Sequence, residues 1–291
     1  MNLLFQQIVS GISIGAVYSL LAVGYALVYS VYNFTNWAFD AIMVAGAFAG
    51  FYAISLFKWP IWAAIVFAIA ATILLSLFLE VTAYRPLRKR DAPRLFMMIS
   101  AMGANLAIIN MYTYFFGGDF RKFPELTAGV ITIGKVSIGK MDLFAGGFAF
   151  VMLILLWYFL QKTKPGLGIR ASSIDTGTAS LMGIDNNVVA LLVFGITGLL
   201  SAVAGIFYGV KYAVYPYLGL VTLKAMIASV IGGLGSLPGA VVGSMILGIV
   251  ETLVSGYISS VWRDLISFTI LVIILLVLPN GLMGAKDQEK L

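Results

Sequence analysis

Apolar runs of bilayer-crossing length recur along almost the whole chain, and they leave very few folds open. They cover about Leu3 to Tyr32, Trp37 to Phe57, Ile61 to Tyr84, Leu95 to Phe116, Leu143 to Leu160, Val188 to Val210, Leu223 to Tyr257 and Leu265 to Leu278. A spanning helix needs about 20 apolar residues. The runs are continuous rather than alternating in ten-residue segments, so a transmembrane barrel is disfavoured. Of the 291 residues, 61% are hydrophobic and 10% charged, against about 45–50% and 25% in soluble domains. The expected fold class is therefore an all-α integral membrane protein. It should be a polytopic helical bundle of eight or nine transmembrane segments, one domain over 1–291, with an internal inverted repeat and broken helices.

Residue types that are missing narrow the chemistry. Neither Cys nor His occurs, which removes disulfides, Cys or His metal ligands and any Ser-His or Cys-His pair. No catalytic, cofactor or metal residue is assigned. The net charge of +6 sits in loops between spans, so it is a topology signal and not a nucleic-acid footprint. A cleavable signal peptide is not expected, because Met1-Asn2 offers no basic n-region and the first apolar run is too long.

Arg85, Arg88, Lys89, Arg90 and Arg94 against Asp91 mark a cytoplasmic loop. The next crossing puts the mixed-charge stretch Gly117 to Met141 outside, and the one after returns the chain to the cytoplasm at Lys162. Residues 161–187 form the longest polar interruption of the second half. A helix of about two to three turns is expected there, from Ser173 to Leu181, with Gly183 as its left-handed terminator. Within Leu223 to Tyr257, Gly232, Gly233, Gly235, Ser236, Pro238 and Gly239 cannot lie in a straight helix. Two shorter helices meeting at a break are expected, in backbone buried by protein or lining a cavity.

Gly11-xxx-Gly15 and Gly46-xxx-Gly50 in the first half answer Gly205-xxx-Gly209 and Gly239-xxx-Gly243 in the second. That pairing suits inverted repeats, and equally plain close packing of helices. Asp40, Glu80, Lys224 and Glu251 lie in or near apolar runs, where a charge costs at least about 2.5–3.5 kcal/mol. Glu80 is expected to pair with Arg85 or Arg88; Lys224 and Glu251 could pair across the break, with snorkelling as the alternative. Asp40 is divided between a pathway wall and a cap of its helix. Asn33, Asn36, Asp40, Lys224, Gly232, Gly233, Gly235 and Glu251 are the candidates for the translocation pathway and its gating. Gly129-xxxx-Gly134-Lys135 has Val136 where a P-loop needs Ser or Thr, and Gly233-x-Gly235 lacks the third dinucleotide-fold glycine. Neither is a nucleotide site.

Several of these stretches together resemble the permease subunits of ABC importers of the branched-chain (hydrophobic) amino acid type. The resembling residues are Gly168-Ile169-Arg170-Ala171, Asp175, Ala179 and Leu181-Met182-Gly183-Ile184, which match that family's cytoplasmic coupling segment. Tyr84-Arg85-Pro86-Leu87-Arg88, Leu223-Lys224-Ala225, Gly232 to Ser236, and Gly248 with Glu251 follow in the expected order. At Asn33 to Asp40 the chain departs from the family's Asn-Phe-Ala-His-Gly-like turn. The substrate is left open between branched-chain amino acids and related small amides. The resemblance implies coupling to the ATPase through Arg170, Ser173, Asp175, Ala179, Leu181, Met182 and Gly183. It also implies a second permease subunit, two ABC ATPase subunits that bind ATP and Mg, and an extracytoplasmic solute-binding protein. The chain itself would bind no cofactor or nucleic acid and would sit in a bacterial or archaeal cytoplasmic membrane. The rival class is a stand-alone secondary transporter or channel, which also shows repeats and broken helices but usually carries deep carboxylates or His for ion coupling.

Overall fold

A computed structural model describes residues 2–123, 129–133 and 136–284. Met1, Gly134, Lys135 and the tail from Lys286 to Leu291 lie outside the described residues. Among those described are helices α1 (Asn2–Tyr32), α2 (Phe39–Ser55), α3 (Ile61–Leu79), α4 (Arg85–Lys89), α5 (Arg94–Phe116) and α6 (Lys140–Lys162). After these come α7 (Lys164–Ile174), α8 (Thr176–Leu181), α9 (Asn186–Lys211), α10 (Val221–Gly232), α11 (Leu237–Tyr257) and α12 (Trp262–Val277). A π-helical turn, Glu80–Tyr84, joins α3 to α4, and a 3-10 turn, Leu218–Leu220, precedes α10. The stretch expected as an outer loop contains an antiparallel hairpin, β1 (Val130–Ile133) and β2 (Val136–Gly139), with Val130 opposite Gly139.

Among the described residues, six helices are long and apolar enough to cross a membrane, while Phe39–Ser55 and Leu218–Gly232 are apolar but shorter. Counting apolar runs gives eight or nine because α2 (17 residues), α10 (12 residues) and α12 (16 residues) are shorter helices. α2 and α10 each follow a break: residues 33–38 interrupt the chain before α2, and residues 212–217 before the turn leading to α10.

The packing shows the repeat. α1 packs on α11 as α9 packs on α3; α2 meets α3 as α10 meets α11; α2 lies on α9 as α10 lies on α1. α1 and α9 touch each other and run in opposite directions, since Ser13 near the start of α1 and Lys211 at the end of α9 both bond to Asp142. The two halves are therefore inverted. The small-residue motifs supply the close approaches: Gly248 lies against the Gly15 backbone, and Gly46 against Ala202. α1 and α9 form the buried centre, while α3, α5 and α6 expose most of their apolar surface.

Orientation follows from the basic loop at 85–94. α5 leads from it to the hairpin end, and α6 leads back to α7 and α8. Gly235 lies against Tyr29 and Ser30 near the end of α1, so the α10–α11 turn is at the cytoplasmic end. The glycine cluster is thus not a mid-span break but a reversal between antiparallel helices. Added methyl groups at Gly232 and Gly239 would each strike the other's carbonyl, and Gly233 takes φ +110°. The chain after α12 seals the turn, with Leu282 N–H donating to the Ile231 carbonyl at 2.9 Å and Met283 N–H to Gly232 at 2.8 Å.

Candidate functional site

The cytoplasmic segment forms two helices where one was expected, and Asp175 is the reason. Its Oδ1 accepts the Thr178 N–H at 2.9 Å, so it caps α8 and ends α7 instead of lying on a continuous helix. Gly183, at φ +86°, closes α8 as expected: the Ile184 N–H reaches the Ala179 carbonyl at 3.1 Å. Ala179 is buried under this short helix and Ser173 Oγ donates to the Arg170 carbonyl. The protruding apolar groups are Leu181 and Ile174, each 89% exposed, and Met182, 80% exposed. The sequence reading passes over Ile174, which a search for large apolar residues in the polar segment would have found. Arg170 is set apart from this tip. It turns toward α6, where Nη1 donates to Gln161 Oε1 at 3.0 Å.

Polar contacts, joined through the backbone at Asn186–Asn187 and at Glu80–Tyr84, lead from the segment to the first break. Asn186 Nδ2 donates to the Thr176 carbonyl at 3.2 Å, tying α8 to the start of α9. Asn187 Oδ1 accepts from Arg85 Nε at 3.3 Å and Arg88 Nη2 at 3.4 Å. Arg88 pairs with Glu80 Oε1 at 2.7 Å, and Glu80 is wholly buried. Glu80 opens the π-helical turn, and Tyr84 closes it, donating from OH to Asn36 Oδ1 at 2.7 Å. That same oxygen accepts the Ala38 N–H at 3.0 Å. Asn36 therefore holds the break, and Asn33, at φ +52°, ends α1.

Beyond the break, the Ala41 N–H donates to Asn105 Oδ1 at 3.0 Å. Asn105 is at the centre of α5, so α2 begins near mid-membrane. Asp40, in the first turn of α2, lies directly over Gly219 of the turn that starts the other half-length helix. Its carboxylate faces two helix starts, where negative charge is favoured. An amide in the middle of an apolar run was a signal available in the sequence for Asn105.

Lys224 and Glu251 are brought together at 3.0 Å. Glu251 also accepts from Tyr18 OH at 3.0 Å and Ser267 Oγ at 3.1 Å, and Lys224 reaches Asp264 at 2.6 Å. Centred on the buried Glu251, this cluster clips α10 to the middle of α1, to the last turns of α11 and to the first turns of α12. Gly232, Gly233 and Gly235 are far from it, at the cytoplasmic turn. No group of three acidic, His or Cys residues able to hold a metal occurs among the described residues.

Residues 7–275 match the family described as branched-chain amino acid transport system / permease component. The chain is 34% identical to the high-affinity branched-chain amino acid transport system permease protein LivH of Escherichia coli K12, covering 98% of this chain and 97% of that one. It is 32% identical to the corresponding protein BraD of Pseudomonas aeruginosa, with the same coverage. Among solved structures it is similar to PsaBC from Streptococcus pneumoniae in complex with Fab, with TM-score 0.55 and 15% identity over 96% of this chain and 93% of that chain. An inward-facing conformation of a putative metal-chelate type ABC transporter matches at TM-score 0.51 and 15% identity, over 94% and 87%. These last two are likenesses of fold.

Proposed function

Because the chain belongs to the permease components of branched-chain amino acid transport systems, we propose that it carries such amino acids across the cytoplasmic membrane by alternating access driven by ATPase partners. In this reading residues 1–291 are one permease domain, paired with a second permease subunit, two ABC ATPases holding ATP and Mg, and an extracytoplasmic binding protein. This chain makes and breaks no covalent bond.

The observation that carries the reading is the exposure of Ile174, Leu181 and Met182, the most exposed large apolar side chains of the cytoplasmic segment, where Leu167 is also exposed. Large apolar side chains displayed this way mark a protein contact, and a cleft on each ATPase would bury them. Asp175 and Gly183 fix the shape of the tip, with Ser173 and Ala179 beneath it. Movement of the tip would pass through Asn187, Arg88, Glu80 and Tyr84 to Asn36, and so to the junction of the two half-length helices at Asp40 and Gly219. Lys224 and Glu251 would hold the outer end of α10 while its inner end pivots on the Gly232 to Gly235 turn. Copurification tests the contact: Leu181→Asp and Ile174→Asp should leave membrane insertion intact and strip the ATPases from the permease. Undiminished ATPase recovery with both variants would contradict it.

A further inference from the structure

A cleft of about 490 Å³ opens between α6 and α11 over α1, at the cytoplasmic end of the bundle. Its walls are apolar, with Leu27 from α1, Leu153 and Leu156 from α6 and Val241 from α11. At its floor stand Arg170 and Ser173 of α7. Trp157 of α6 and Val242 of α11, which both line it, are exposed on the outer surface, so the cleft opens sideways between those two apolar helices.

Arg170 is the unusual feature. Its Nε is buried without a hydrogen-bond partner, and it makes no ion pair among the described residues. A guanidinium half-withdrawn from water with no counter-charge is costly, and its fork geometry suits a phosphate or carboxylate. Lys162 and Lys164, both exposed beside it, add positive charge at the level where α6 leaves the membrane. Trp157, at the rim, is an aromatic side chain at that same interface.

We propose that this cleft binds one phospholipid of the inner leaflet with an anionic headgroup. The phosphate would take the free donors of Arg170 with Ser173 and Gln161 alongside, and an acyl chain would lie up the groove between α6 and α11. Basic pockets between helices on the cytoplasmic side favour such headgroups, and the apolar walls select a ligand with a chain over a free anion. The lipid would then brace α7, the stem of the ATPase-facing tip, against the α10–α11 turn.

The test is thermal unfolding of the purified permease in delipidated detergent, with phosphatidylglycerol, phosphatidylcholine or inorganic phosphate added, alongside native mass spectrometry for retained lipid. Phosphatidylglycerol should raise the unfolding midpoint and stay bound, because a ligand specific to the folded state stabilises it. Phosphatidylcholine and phosphate alone should do neither. Arg170→Gln should weaken phosphatidylglycerol binding by about tenfold or more. Leu156→Trp, which fills the groove and leaves Arg170 in place, should abolish retention; each variant's own lipid-free midpoint serves as its folding control. Equal effects of the two lipids, a full shift from phosphate alone, or undiminished retention by both variants would overturn the proposal. So would disulfide capture of Trp157→Cys by a cysteine on the second permease, which would mean that protein covers the cleft.

Discussion

Glu80 shows how much can depend on one carboxylate placed below a membrane interface. It is wholly buried, and Arg88 is its partner at 2.7 Å. Removing one member of a buried pair strands the other and costs about 3–5 kcal/mol, whereas removing both charges is far milder. Arg88→Ala should therefore lower the unfolding midpoint in detergent substantially, and Arg88→Ala with Glu80→Gln should recover most of the loss. Equal loss in the single and double variants would mean that the pair is not what holds the turn. At Asp175 the prediction separates charge from capping. Asn caps as well as Asp, while Ala forfeits about 0.5–2 kcal/mol. Hydrogen exchange at Thr178 and Ala179 should quicken in Asp175→Ala and stay near wild type in Asp175→Asn; quickening in both would assign the effect to charge. Pairing of Glu80 with Arg88 could be read from their spacing. What was hidden at Asp175 is the helix before it: Pro165, Gly166 and Gly168 read as a turn, yet they lie in the first turns of α7.

Among the elements, the α10–α11 turn tolerates nothing larger than glycine where the two backbones meet. Gly239→Ala would force a methyl into the Gly232 carbonyl, and overpacking of this kind costs about 1–3 kcal/mol or more. Gly103→Ala on α5 meets nothing within 4 Å and should be neutral. Comparing the folded yield of the two variants from membranes checks this, and equal yields would contradict the packing described. Glycine content made the turn legible as an interruption, but composition carries no direction, so a reversal and a mid-span break looked alike. The second break, residues 212–217, was visible as the gap between the runs ending at Val210 and starting at Leu223, and Pro216 within it bars a continuous helix. Its pairing with Arg121, whose N–H and carbonyl both bond to Val214, was not written in the sequence.

For the whole molecule, the basic loop at 85–94 together with the inverted packing sets the side of each loop. Single cysteines at Arg90 and Lys164 should react with an impermeant thiol reagent only from the cytoplasm. Those at Lys122 and at Lys58, in the turn between α2 and α3, should react only from outside. Labelling of Lys58→Cys from the cytoplasm would invert the first half. The repeat was only hinted at by paired glycine motifs, because packing partners in opposite halves are not written in spacing. The family was legible because short polar motifs stand out against apolar spans. The measurement that bears most directly on the central claim is uptake of leucine into proteoliposomes containing this chain, the second permease and the ATPases, with the binding protein added outside. Uptake should require ATP and hydrolysis-competent ATPases, and Leu181→Asp should abolish it. Leucine uptake by this chain without the ATPases, driven by an ion gradient, would contradict the account and make the protein a secondary transporter.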